Sequence, residues 1–154
     1  PYMTLSEELE QINTIFIDTA PIIYYIEANP QFGTLVKVVI DSFQSNNLSA
    51  FSSVITLTEV LSKPIETGDE KLAEKFAEFL KNGKNLSLIE ISTDIADKAG
   101  RLRGQYKDLK TIDAIQISTA IEVGVDAFLT NDKKLKHIKE IKILVLSDYL
   151  NSDS

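Results

Sequence analysis

The sequence predicts an α/β domain built on a mostly parallel sheet, and three observations carry that reading. Short β-rich runs alternate with longer helical patterns along the chain. Five of those runs fit strands, at residues 14–17, 48–51, 86–91, 127–129 and 142–146. No repeat, low-complexity tract or interdomain linker interrupts them. The 154 residues are therefore expected to form a single domain, with residues 1–13 as an N-terminal extension.

The helices follow from periodicity and punctuation. Residues 21–28 and 33–45 read as a helix pair after the first strand. Pro21 suits a first turn, where its missing N–H costs nothing, and Thr19 is the expected cap. Ser52 or Ser53 is expected to cap the next helix and Pro64 to end it. Residues 70–81 place Leu72, Phe76, Phe79 and Leu80 on one stripe before Asn82-Gly83 closes the helix. Residues 93–109 space Ile95, Ala99, Leu102 and Tyr106 as a buried face. Thr111 is the expected cap of a helix over 112–123, which Gly124 stops. Only residues 1–10 and 151–154 look loose.

Composition excludes several chemistries. The chain has no cysteine, so disulfides, thiolate zinc sites and a thiol nucleophile are ruled out. A single histidine, His137, rules out a histidine-rich metal centre. Residues 1–13 are polar and acidic, and no apolar run reaches membrane-spanning length, so a cytoplasmic chain with no membrane partner is expected. The net charge of −7 argues against coating nucleic acid with a broad basic surface. It leaves room for an enzyme that engages a short stretch of backbone beside bound cations. The basic residues do cluster: Lys133, Lys134, Lys136, Lys139 and Lys142 follow Asp132, and Arg101, Arg103, Lys107 and Lys110 precede Asp113. Each cluster alone would be an ordinary solvated face.

Four acids sit where elements end or begin. Asp18 follows the first strand, Glu59 lies in the helix after the second, Asp113 opens a later helix, and Asp132 follows the fourth strand. Carboxylates that close strands of a parallel sheet gather at one edge, where such sheets place ligands. Four of them would repel unless a hard divalent cation, Mg²⁺ or Mn²⁺, neutralised them. That combination points to metal-assisted phosphodiester chemistry. Taken singly, Asp18 could start a turn, Asp113 could answer the helix dipole, and Asp132 could cap a helix at Lys133. On a helical wheel Val54, Leu57, Val60 and Leu61 form the expected buried stripe, with Ile55 at its margin and Glu59 just beyond.

The segments around these acids resemble the PIN domain, a family of metal-dependent ribonucleases that includes VapC-type toxins of toxin–antitoxin pairs. Ile15-Phe16-Ile17-Asp18-Thr19-Ala20-Pro21 is similar to the family's opening, and Ser52 to Leu61 to its second acidic motif. Thr111-Ile112-Asp113-Ala114-Ile115-Gln116 and Ala127-Phe128-Leu129-Thr130-Asn131-Asp132-Lys133 resemble the last two.

The resemblance implies a three-layer α/β/α sandwich around a five-stranded sheet, and an endoribonuclease that hydrolyses RNA phosphodiester bonds. It makes Asp18, Glu59, Asp113 and Asp132 the metal-binding carboxylates, with Thr130 a polar helper. Asp18 and Asp132 would be direct ligands to Mg²⁺ or Mn²⁺ and lie closest, Asp113 a bridge or water anchor. Glu59 would serve a second ion or the attacking water. It further implies an antitoxin and a homodimer. A guanidinium fork matches a carboxylate in two places, so the antitoxin is expected to lay an arginine among the acids. The helices over 21–45, rich in Ile, Val, Tyr and Phe, are expected to form part of the dimer interface. Gln116 departs from the small or apolar residue expected there, and residues 66–84 add a helix between the second and third strands. A haloacid-dehalogenase phosphatase would need an Asp where Ala20 stands, and a phospho-receiver an Asp where the third strand gives Glu90-Ile91-Ser92. The rival of another class is an inactive PIN-like module that only binds RNA or protein.

Overall fold

A computed structural model describes residues 3–150. Five parallel strands, β1 (Thr14–Ile17), β2 (Ser49–Ser53), β3 (Leu86–Ile89), β4 (Ala127–Thr130) and β5 (Lys142–Val145), lie in the order β3-β2-β1-β4-β5. The expected mostly parallel sheet is thus parallel throughout. Seven α-helices accompany it: α1 (Leu5–Glu10), α2 (Thr19–Ile26), α3 (Gly33–Gln44), α4 (Val54–Glu66), α5 (Glu70–Asn82), α6 (Thr93–Gln105) and α7 (Thr111–Val123). Two short 3₁₀ helices, Lys133–His137 and Leu146–Tyr149, follow β4 and β5.

The pleat divides the core. Ile15, Ile17, Ala127 and Leu129 pack on the face covered by α1 to α5, while Phe16 and Phe128 point to the face covered by α6 and α7. Phe16 and Phe128 are register partners in adjacent strands, and their rings stack with centroids 5.2 Å apart. The result is the expected three-layer sandwich. No helix among the described residues is long and apolar enough to cross a membrane.

Several local expectations are corrected. Asp18, not Thr19, caps α2, because its carboxylate reaches the Thr19 backbone N–H. Pro64 does not end α4, which runs on to Glu66 with the proline ring buried. The helix tolerates it because only one intrahelical bond is lost and the last turn closes through Thr67 N–H to Lys63 C=O. The buried stripe of α4 is Thr56, Val60 and Pro64, with Leu57 and Leu61 partly buried and Glu59 exposed. α6 stops at Gln105, so Tyr106 leaves the helix. Lys110, without a side-chain bond, occupies the cap position of α7.

Residues 4–10 are not loose, and the part of that expectation on residues 1–2 lies outside the described residues. Thr4 and Glu7 exchange side-chain-to-backbone bonds in a capping box, and Leu5 and Leu9 enter the core. Glu8 is buried but satisfied, accepting from Tyr149 Oη at 2.9 Å and Lys142 Nζ at 2.7 Å. The looseness expected at 151–154 lies outside the described residues. In the helix pair expected to form part of a dimer interface, Ile22, Val36, Val39, Ile40 and Phe43 are fully buried within the protomer itself.

Candidate active site

The strand order reverses between β1 and β4, and the crevice beyond the carboxyl ends of these two strands is where open α/β sheets bind ligands. Asp18 stands at that point. Its backbone N–H donates to Leu129 C=O at 2.9 Å, fixing it against β4. Its Oδ1 accepts from Thr19 N–H at 2.9 Å, and its Oδ2 accepts from Thr130 Oγ1 at 2.9 Å. Thr130 is buried, and its Oγ1 also accepts from Asp132 N–H at 3.2 Å. It therefore links two of the predicted acids. Burial pushes the Asp18 carboxyl above the ordinary carboxylate range and the charge of Glu59 adds to this, while the three donors, Gln116 among them, oppose it.

Gln116 is the residue that sequence reasoning left without a role. It is fully buried on α7 and joins three elements. Its Nε2 donates to Thr56 Oγ1 at 2.7 Å and lies 3.5 Å from Asp18 Oδ1, while its Oε1 accepts from Ser53 Oγ. Ser52 Oγ completes the web through Ile17 C=O at 2.8 Å and Thr56 Oγ1 at 2.9 Å. A buried polar network with every member satisfied is stiff. This one ties the end of β1 to α4 and α7, the elements that carry Glu59 and Asp113.

Glu59 is exposed, yet its Oε1 accepts from Thr19 Oγ1 at 2.6 Å. Thr19 thus loses its expected capping role and instead holds α4 to the start of α2. Asp132 caps the 3₁₀ helix Lys133–His137, its Oδ1 accepting from Lys134 N–H at 3.0 Å. Asp113, half-buried in the first turn of α7, has no hydrogen-bond donor among the described residues. Its carboxyl is pushed up to about 6, first by burial, then by the negative charges of Asp18 and Asp132, with Glu59 adding less and Lys110 opposing. Asp113 is therefore the acid on which the other three act.

Asp113 and Asp132 also line one cavity. Among the described residues no three acidic or imidazole side chains close into a ready-made ligand cage. The donor set nevertheless fits a hard divalent cation, since all four groups offer carboxylate oxygens and the raised Asp113 records negative charge that a cation would offset.

Solved structures give the same architecture. VapBC2 from Rickettsia felis, bound to a promoter DNA fragment, matches with a TM-score of 0.67 at 20% identity, over 86% of this chain and 98% of that one. A toxin–antitoxin complex from Klebsiella pneumoniae matches at 0.62 and 23% identity, over 85% and 96%. VapC20 from Mycobacterium tuberculosis, a toxin that cleaves the sarcin–ricin loop, matches at 0.65 and 14% identity, over 83% and 98%. At these identities the likeness speaks for the fold. No curated protein matches the sequence significantly. The model of the PIN domain matches residues 15–141, a span that holds all four acids and Thr130, and the chain belongs to the PIN domain family.

Proposed function

We propose that the protein is a Mg²⁺- or Mn²⁺-dependent endoribonuclease and the toxin of a toxin–antitoxin pair. The observation that carries this reading is the convergence of Asp18, Asp132 and Glu59 on Asp113 at the carboxyl edge of the sheet. Asp18, Glu59, Asp113 and Asp132 would hold the cation and Thr130 would orient Asp18. Bound there, a divalent cation supplies an activated water and neutralises phosphate charge. The protein's own part is positional. Thr130 and Gln116 fix Asp18, Thr19 fixes Glu59, and the 3₁₀ turn after β4 fixes Asp132.

The solved neighbours include VapBC complexes, which supports an antitoxin partner. An arginine from it would match these carboxylates in two places. A homodimer is the assembly we expect, with half-buried Ile23, Tyr24 and Tyr25 of α2 the remaining apolar candidates for its interface. Its site of action would be the cytoplasm, as a single domain.

The test is cleavage of single-stranded RNA by partner-free protein with and without Mn²⁺. Asp113→Asn or Asp132→Asn should reduce cleavage more than about 100-fold, beyond the roughly 10–100-fold typical of outer-sphere partners, with circular dichroism unchanged. Wild type that binds RNA and never cuts it with either metal would instead be the inactive PIN-like module.

A further inference from the structure

We propose that the cavity beside Asp113 and Asp132 is a subsite for one nucleotide of single-stranded RNA, with the base against His137 and the backbone phosphates on Lys110 and Lys134. This rests on the nuclease reading for its direction and goes beyond it in assigning residues that bind rather than cut.

The cavity has a volume of about 530 Å³, within the range of pockets that hold nucleotide-sized ligands. Its walls are of two kinds. Leu109 and Leu135 are buried and form an apolar floor. Lys110, Lys134, His137 and Asp108 are exposed and form the rim, and Asp113 and Asp132 close one side. An apolar floor and a planar ring could take a base and two cations its phosphates, next to acids that would hold a metal.

His137 is set for stacking. It ends the 3₁₀ helix that Asp132 caps, so its backbone is fixed to the same turn as the acid. Its ring meets Tyr106 edge-on, with centroids 5.3 Å apart and planes at 71°. Tyr106 is itself held, its hydroxyl donating to Glu140 at 2.7 Å and accepting from Lys139 N–H at 3.2 Å. No hydrogen bond among the described residues engages the imidazole. Four lysines of the two basic clusters divide between fold and cavity. Lys136 pairs with Asp148 at 2.6 Å and Lys142 with Glu8 at 2.7 Å, so both serve the fold. Lys110 and Lys134, the two that line the cavity, form no ion pair among the described residues. Bases of single strands are open to such a platform, whereas those of a duplex are already stacked.

The experiment measures binding of a fluorescein-labelled RNA hexamer by anisotropy in Mg²⁺, with phosphorothioate linkages to slow cutting. His137→Ala should weaken binding about tenfold and His137→Phe should stay within about twofold of wild type, because stacking needs only the ring. Lys134→Ala should lower the slope of log Kd against log salt by about one, as loss of one phosphate contact does. The subsite is overturned if wild type does not bind, if His137→Ala and Lys134→Ala bind like wild type, or if His137→Phe is as weak as His137→Ala. Cleavable RNA separates the two readings. Binding through His137 and Lys134 without cutting would leave the subsite standing and defeat the nuclease, and metal-dependent cutting with binding indifferent to both residues would do the reverse.

Discussion

Asp126 and Asp113 stand at opposite rims of one sheet, and their surroundings push them in opposite directions. Asp126 precedes β4 at the amino rim. Its Oδ2 accepts from Asn13 N–H at 2.8 Å and Thr14 N–H at 3.1 Å, and these donors, Asn13 first, hold its carboxyl below the ordinary range. Asp113 lies at the carboxyl rim with no donor among the described residues, beside three other acids, and is pushed up to about 6. One acid fastens the entry of β1 to the entry of β4. The other stores unfavourable charge where a ligand could relieve it. Both look alike in the sequence, as a lone Asp beside an apolar segment. What separates the two acids is the sign of the neighbours that the fold delivers to them.

The largest break in this comparison should come from Gln116→Leu. The apolar side chain removes the amide that links Asp18 to Ser53 and Thr56, leaving two buried hydroxyls each one hydrogen-bond partner short. Cleavage with Mn²⁺ should fall roughly 10–100-fold, and denaturant unfolding should show a loss of about 1–3 kcal/mol. Unchanged cleavage beside the expected stability loss would confine Gln116 to the fold.

Metal-free stability should next report the contrast through pH. The folded state holds an extra proton on Asp113 between the ordinary value of 3.8 and about 6, where it binds more protons than the unfolded chain, and the raised Asp18 acts with the same sign. The contribution of Asp113 is complete below 3.8 and disappears as pH rises through about 6. Asp126 has the opposite sign, contributing above 3.8 and losing its contribution as pH falls. The melting temperature in EDTA should therefore decline from pH 5 to pH 7.5, and Asp113→Asn should flatten that decline. A wild-type melting temperature that rises over this interval would contradict the clustering of charge.

The smallest effect belongs to the amino rim. Asp126→Ala should cost on the order of 1 kcal/mol through its lost hydrogen bonds and leave metal-dependent cleavage unaltered. A cleavage defect with normal stability would erase the distinction between the rims.

Much of the architecture was legible because its signals are local. The strands lie within two residues of their expected ends, since apolar runs between turn residues announce them without tertiary help. Glu70–Asn82 follows from one stripe of Phe76, Phe79 and Leu80, and Gly124 stops α7 at a φ of 83° that glycine adopts without strain. The misses share a tertiary cause. Leu5–Glu10 looked loose because two apolar residues in an acidic segment say little until β5 and Tyr149 supply the partners of Glu8. The α4 stripe was misplaced because Thr56 enters the interior to meet Ser52 and Gln116.

The site divides in the same way. Of the proposed site, Asp18, Asp113 and Asp132 stand out in the sequence by their positions at element ends, and Glu59 and Thr130 by family resemblance. Gln116 could not, because its partner Ser53 is 63 positions away and no periodicity links an amide to a serine across that distance. The available signal was the anomaly itself, a glutamine on a helix face whose neighbours Ala114, Ile117 and Ala120 are all buried.

The central claim, that the carboxyl-rim acids form one cation site centred on Asp113, is tested most directly by melting in Mn²⁺ at pH 7.5. At 100 times its Kd a ligand adds about 2.7 kcal/mol to the native state, which in a chain of this size raises the melting temperature by roughly 5–10 °C. The account predicts that rise for wild type, its near disappearance in Asp113→Asn, and its full retention in Asp126→Ala. A wild-type curve indifferent to millimolar Mn²⁺, or a rise that survives intact in Asp113→Asn, would contradict it.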